Sequence, residues 1–176
     1  MNWFMLTLVG EDRPGIVAAI TAALFQGGCN LGEATMARLG GNFTVMLMVQ
    51  YTGTLDGLRA LINPVANELG LQVHADLIEA HLHRHLIPDV RVTVYSADRA
   101  GIVAQVTGAL TAAGFNILDL QSDVGGSEAK PVYIMTMEGQ AQNGIDAVEA
   151  ALSALKHVWA RDGIEVDVQP IETLIG

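Results

Sequence analysis

The sequence predicts an α+β chain made of two tandem copies of one small antiparallel unit. Three observations predict it: a repeat at an offset of 86 residues, short apolar runs of strand length, and apolar stripes at helical spacing that stop at glycine. The repeat is direct. DRPGIVAAITAALFQGGCNL at 12 to 31 lies over DRAGIVAQVTGALTAAGFNI at 98 to 117, and 11 of 20 positions are identical, where chance supplies about one. A duplication divides the chain into domains at 1–84 and 85–176.

Each copy then reads element by element. The runs Phe4 to Val9 and Val90 to Tyr95 fit opening strands by length and β-branched content. Ile16, Ile20 and Leu24 recur at helical spacing and Gly27-Gly28 stops the helix; Ile102, Val106 and Leu110 repeat the stripe and Gly114 stops it. Second strands follow at Asn30 to Arg38 and Asn116 to Val124. Gly40-Gly41 turns the first copy into Phe43 to Val49, whereas a longer hairpin, Gly125 to Pro131, leads into Val132 to Glu138. Helices over 55–69 and 144–161 come next, the first expected to kink or restart at Pro64. Strands over 71–78 and 164–169 close each copy. The order strand, helix, strand, strand, helix, strand is that of the ferredoxin-like split βαβ unit, a four-stranded antiparallel sheet with both helices on one face. A unit of about 85 residues buries a modest share of its chain surface and leaves open sheet edges. The copies are therefore expected to pack together, one route being a continuous eight-stranded sheet, with further pairing between chains.

Composition narrows the function. Hydrophobic residues make up 51% of the chain, enough for packed cores. The formal charge is −10, from 19 acids against nine scattered Lys and Arg. Phosphate neutralisation needs a basic face, so direct nucleic-acid binding is disfavoured. No apolar run reaches the length of a membrane span and the N-terminus has no basic signal region, which predicts a cytoplasmic protein without membrane contact. Cys29 is the single cysteine, so no internal disulfide forms.

The candidate sites follow the first strands. Asp12 is expected near the helix N-cap, Pro14 in the first turn, where its missing N–H costs nothing, and Gly15 there removes a side chain. Free N–H groups and the positive end of the helix dipole then face a space suited to a carboxylate. Good helix-start chemistry alone accounts for Asp12 and Pro14. The second copy, however, keeps Asp98, Arg99 and Gly101 and replaces Pro14 with Ala100, so what survives is the charge pair and the missing side chain. Asn30 and Asn116 follow the stopping glycines in both copies, either as turn formers or as amides that donate to and accept from a zwitterion. His81, His83 and His85 alternate near the boundary, with His74 upstream. In an extended strand the three share a face, but no carboxylate or thiolate is placed to complete a metal site, and a linker or interface strand explains them as well.

Enzyme signatures are missing: no G-x-S-x-G elbow, P-loop, H-E-x-x-H or G-x-G-x-x-G. Phosphate chemistry of the acylphosphatase kind needs an anion-cradling loop with an arginine after the first strand; Arg13 is there, but Glu11 and Asp12 would repel the phosphate. Neither catalysis nor a cofactor is expected. Met46, Met48, Met135 and Met137 read as core filler in central strands.

The pattern of strand, D-R-x-G-I-V, helix ending in Gly, and Asn opening the next strand resembles the ACT domain family of small-molecule regulatory modules. It covers essentially the whole chain as two copies. A chain of two such units is similar to the glycine cleavage system transcriptional repressor family. The resemblance implies that amino acids, glycine or serine among them, bind between ACT units. They would be held by the loop after the first strand and by residues opening the second strand of the facing unit. Carried over, Gly10, Glu11, Asp12, Pro14, Gly15 and Asn30 would line one site, and Ala97, Asp98, Gly101 and Asn116 the other. It also implies transcriptional regulation through a DNA-binding activator protein, without direct DNA contact. The alternative is a ligand-independent protein-interaction module.

Overall fold

The computed structural model describes residues 1–79, 86–97, 101–127, 130–159 and 164–172. The chain divides into two compact units, Met1–Arg84 and His85–Gly176. Unit one runs β1 (Asn2–Glu11), α1 (Ile16–Gln26), β2 (Asn30–Leu39), β3 (Asn42–Tyr51), α2 (Leu55–Glu68) and β4 (Gln72–Ile78). Unit two repeats the order as β5 (Val90–Ala97), α3 (Ile102–Ala112), β6 (Phe115–Ser127), β7 (Lys130–Ala141), α4 (Ile145–Val158) and β8 (Glu165–Pro170). The strands form two four-stranded sheets, β2-β3-β1-β4 and β6-β7-β5-β8, with every neighbouring pair antiparallel. The ferredoxin-like expectation holds for both units.

Period-two burial on the strands and the helical stripes meet in each core. Phe4, Leu6 and Leu8 of β1 and Phe43, Val45, Leu47 and Val49 of β3 are buried against Ile16, Ile20 and Leu24 of α1 and Leu58, Ile62 and Ala66 of α2. In unit two Val90, Val92 and Val94 of β5 and Met135 and Met137 of β7 meet Ile102, Val106 and Leu110 of α3 and Val148 and Leu152 of α4. The methionines at 135 and 137 are core filler; Met46 faces outward and is 41% exposed.

Helix ends follow their local chemistry. Gly28 takes φ 76° after α1, and the Cys29 N–H donates to the Leu24 carbonyl at 3.0 Å, which closes the helix by a left-handed glycine cap. The Thr54 hydroxyl accepts from the Gly57 N–H at 3.1 Å and caps α2.

Two expectations are corrected. Pro64 does not restart α2, which is one helix over Leu55–Glu68. The proline lies on the exposed side of the helix, where the carbonyl it leaves without a partner can turn to water. The hairpin expected over 125–131 is mostly strand, since β6 and β7 stay paired to Ser127 and Lys130. Among the described residues, no helix is long and apolar enough to cross a membrane.

Candidate functional site

The connection from β1 to α1 is built by three anchors that point different ways. The Asp12 N–H donates to the Gly41 carbonyl at 3.0 Å, tying the loop to the β2–β3 turn. The Asp12 carboxylate meets Arg38 of β2, Oδ2 to Nη2 at 2.6 Å. Arg13 turns to the other side, where its Nη2 donates to the Leu69 carbonyl at 3.1 Å. That contact satisfies a terminal carbonyl of α2 and sets a cation at the negative end of the helix dipole.

These contacts correct the expected helix start. Asp12 does not cap α1; Gly15 is the N-cap, at φ 90° and ψ −6°, and no side chain caps the helix. Pro14 therefore precedes the N-cap and is not in the first turn. Gly15 is required by its left-handed backbone, since a Cβ there would meet nothing within 4 Å. The first N–H groups of α1 are thus left uncapped, with no acid in the first turn to compete for them.

They face a groove of about 760 Å³ between the helix start and the edge strand. Asp12 to Ala18 form one wall, and Met36, Arg38 and Phe43 the other. Strand β2 lies beyond the cover of the helices, so Met36 is 56% exposed although it is on the same sheet face as the core. The groove combines backbone N–H groups, one acid, the Arg38 guanidinium and an apolar floor of Ile16 and Phe43.

Of the six residues expected in unit one, the structure brings together Asp12, Pro14 and Gly15. Glu11 is still in the sheet, paired with Asn42. Gly10 has a packing role, because a Cβ there would come within 2.6 Å of Leu71 Cδ2. Asn30 pairs with Gln50, which pairs with Trp3, so it stands at the opposite end of the sheet from Asp12 and cannot line the same groove within the unit. Asn116 pairs with Gln140, next to Gly139 opposite Val90, and is likewise far along the sheet from Ala97. Arg38 and Met36 were not foreseen. Their signal was the Gly40-Gly41 turn: a two-residue connection sets Arg38 opposite Phe43, which is opposite Gly10.

In unit two, Ala97 ends β5 opposite Val132. Gly101 repeats the uncapped left-handed N-cap, φ 88° and ψ −4°. Asp98, Arg99 and Ala100 lie outside the described residues, as do His81, His83 and His85. His74 pairs with Asp76, Nε2 to Oδ2 at 2.7 Å, and among the described residues no three His, Cys, Asp or Glu side chains gather as a metal cluster. Register places Val124 where unit one has Arg38, opposite Tyr133 and Ser96, and Ser122 where it has Met36. Trp159 is buried and its Nε1 donates to Gln105 Oε1 at 2.7 Å, one turn into α3. At the position of Gln105 unit one has Ala19.

Comparison with known proteins agrees with this architecture. Family models for the ACT domain match residues 2–76 and 90–157. The glycine cleavage system transcriptional repressor of Escherichia coli (strain K12) is 28% identical over 159 residues, covering 88% of this chain and 84% of the repressor. A UPF0237 protein of Methanopyrus kandleri is 30% identical over 90 residues, 48% of this chain and 99% of that protein. Among solved structures, a protein of unknown function from Galdieria sulphuraria superposes with a TM-score of 0.75 at 22% identity, covering 97% of this chain and 99% of its own. Another, provisionally assigned as a glycine cleavage system transcriptional repressor, gives 0.72 at 17% identity over 98% of both chains. At these identities the two structures share the fold. With both family models matched and both folds built as described, the chain belongs to the ACT domain family and carries two ACT domains in tandem.

Proposed function

We propose that this chain is a regulator that binds a small amino acid in the groove of unit one and signals its presence to a protein partner. The observation that carries the reading is the uncapped start of α1, whose N–H groups face an open groove shared with Arg38. Such N–H groups suit a carboxylate. The relationship to the glycine cleavage system transcriptional repressor supports a role in transcription. A formal charge of −10 supports action through a DNA-binding partner rather than on DNA. The role needs no chemistry: a ligand that binds one arrangement of the protein better than another shifts the balance between them. A coupling of about 1–3 kcal/mol changes partner affinity roughly 5- to 150-fold.

A thermal-shift panel of amino acids tests the proposal. Glycine, serine or another small amino acid is expected to raise the melting temperature, and Gly15→Leu to abolish the rise by filling the groove and straining the left-handed N-cap. Gly101→Leu carries the same strain in unit two and is expected to keep the rise. A melting point that no amino acid moves would overturn sensing. A partner captured equally well with and without amino acids would favour a ligand-independent interaction module.

A further inference from the structure

The groove of unit one contains a charged couple whose members differ in how tightly they are held. The Asp12 side chain is 23% exposed and that of Arg38 68% exposed, with 2.6 Å between Oδ2 and Nη2. Asp12 is anchored through its own N–H to Gly41, whereas Arg38 stands on an edge strand with its guanidinium largely in water. At the strand position that matches Arg38, unit two has Val124 in place of a guanidinium.

We propose that Asp12 and Arg38 select a zwitterion by exchanging partners. The incoming carboxylate takes the Arg38 guanidinium, whose planar fork fits a carboxylate at two points, and the incoming ammonium takes the Asp12 carboxylate. The inference rests on the amino-acid reading above and adds to it the residues that set specificity. The difference in burial gives the exchange a direction. A ligand with only a carboxylate draws Arg38 away and strands a largely buried Asp12 without a partner, which is costly. A ligand with only an ammonium displaces Arg38 into solvent, which costs less. Affinity is therefore ordered: zwitterion first, then the carboxamide that keeps the ammonium, then the N-acetyl form that keeps the carboxylate.

The test titrates the full chain with glycine, L-serine, L-leucine and L-methionine, each beside its carboxamide and its N-acetyl derivative. Binding is read by calorimetry and thermal shift. For whichever amino acid binds, the carboxamide is expected to be about tenfold weaker or more, and the N-acetyl form weaker again. Arg38→Ala is expected to weaken the zwitterion to about the level of its carboxamide, and Arg38→Lys to recover part of the loss. Val124→Ala is expected to leave all three affinities unchanged. The melting point without ligand reports whether each variant is folded; Arg38→Ala, which leaves Asp12 without its partner, is expected to lower it while unfolding stays cooperative, and Arg38→Lys to lower it less. An N-acetyl form that binds as well as the zwitterion, or an Arg38→Ala variant that binds like wild type, overturns the exchange while amino-acid sensing stands. A wild-type chain that binds no member of the panel overturns both.

Discussion

The two units have the same fold and divide their core volume differently. Unit one puts Phe4, Leu6 and Leu8 on its first strand, opposite Val49, Leu47 and Val45; unit two puts Val90, Val92 and Val94 there, opposite Gly139, Met137 and Met135. Volume given up by the first strand at the lower two levels is taken up by the longer methionines of the third. At the top level the aromatic ring changes strand. A Cβ on Gly139 would lie 2.7 Å from Phe115 Cζ, so the Phe115 ring occupies the space over that glycine, while unit one has Phe4 on β1 and Cys29 where unit two has Phe115. Cores accept such exchanges when total volume and pattern are kept. The groove shows no matching exchange: nothing on β6 at the register of Arg38 replaces its charge. The fold constrains a sum over neighbours, and a binding site constrains single side chains.

The comparison can be broken by experiment, beginning with the ring. Phe4→Ala and Phe115→Ala should each destabilise by about 3–5 kcal/mol, while Cys29→Ala, at the position of Phe115, should cost well under half as much. Guanidinium unfolding midpoints with unchanged slope measure this, and a Cys29→Ala as damaging as Phe115→Ala would contradict the exchange. Next in size is Gly139→Ala. Its Cβ would be driven against the Asn116 carbonyl and the Phe115 ring, a cost of about 1–3 kcal/mol read as a lowered unfolding midpoint.

The helix starts should then prove alike. Gly15→Ala and Gly101→Ala place a Cβ at φ 90° and 88° with no close neighbour, so each should cost about 1–2 kcal/mol of strain. Unequal losses in thermal unfolding would show that one start is supported by something besides its backbone. The smallest effect distinguishes Cys29 from Phe115. Burial pushes the Cys29 thiol up from its ordinary value of 9.0, so above that pH the native state keeps a proton that the unfolded chain has lost. Stability should fall as pH rises past 9.0, and Cys29→Ala should remove that part of the slope.

Much of the fold was legible because the duplication shows it twice. The stripes Ile16, Ile20, Leu24 and Ile102, Val106, Leu110 are all buried as their spacing requires, and the order of elements follows from them. The helix start was misplaced by three residues because Asp12 is a good capping residue by type, whereas its carboxylate is engaged by Arg38, which lies 26 positions along the chain. Asn30 was expected to meet the loop of a facing unit, and strand register sets the two at opposite ends of the sheet within one unit. Arg38 escaped notice since an exposed edge strand carries no periodic signal. Local chemistry predicts elements, while a site assembled across a hairpin needs the register as well.

Pro64 has a consequence for how the second helices loosen. Without an N–H at that position, α2 lacks one rung of its ladder, at the Ala60 carbonyl. Amide deuteration followed by mass spectrometry should therefore find α2 exchanging as two segments that meet near that rung. Helix α4, which has no proline over Ile145–Val158, should exchange as one, so that two helices of one ancestry record different histories of opening.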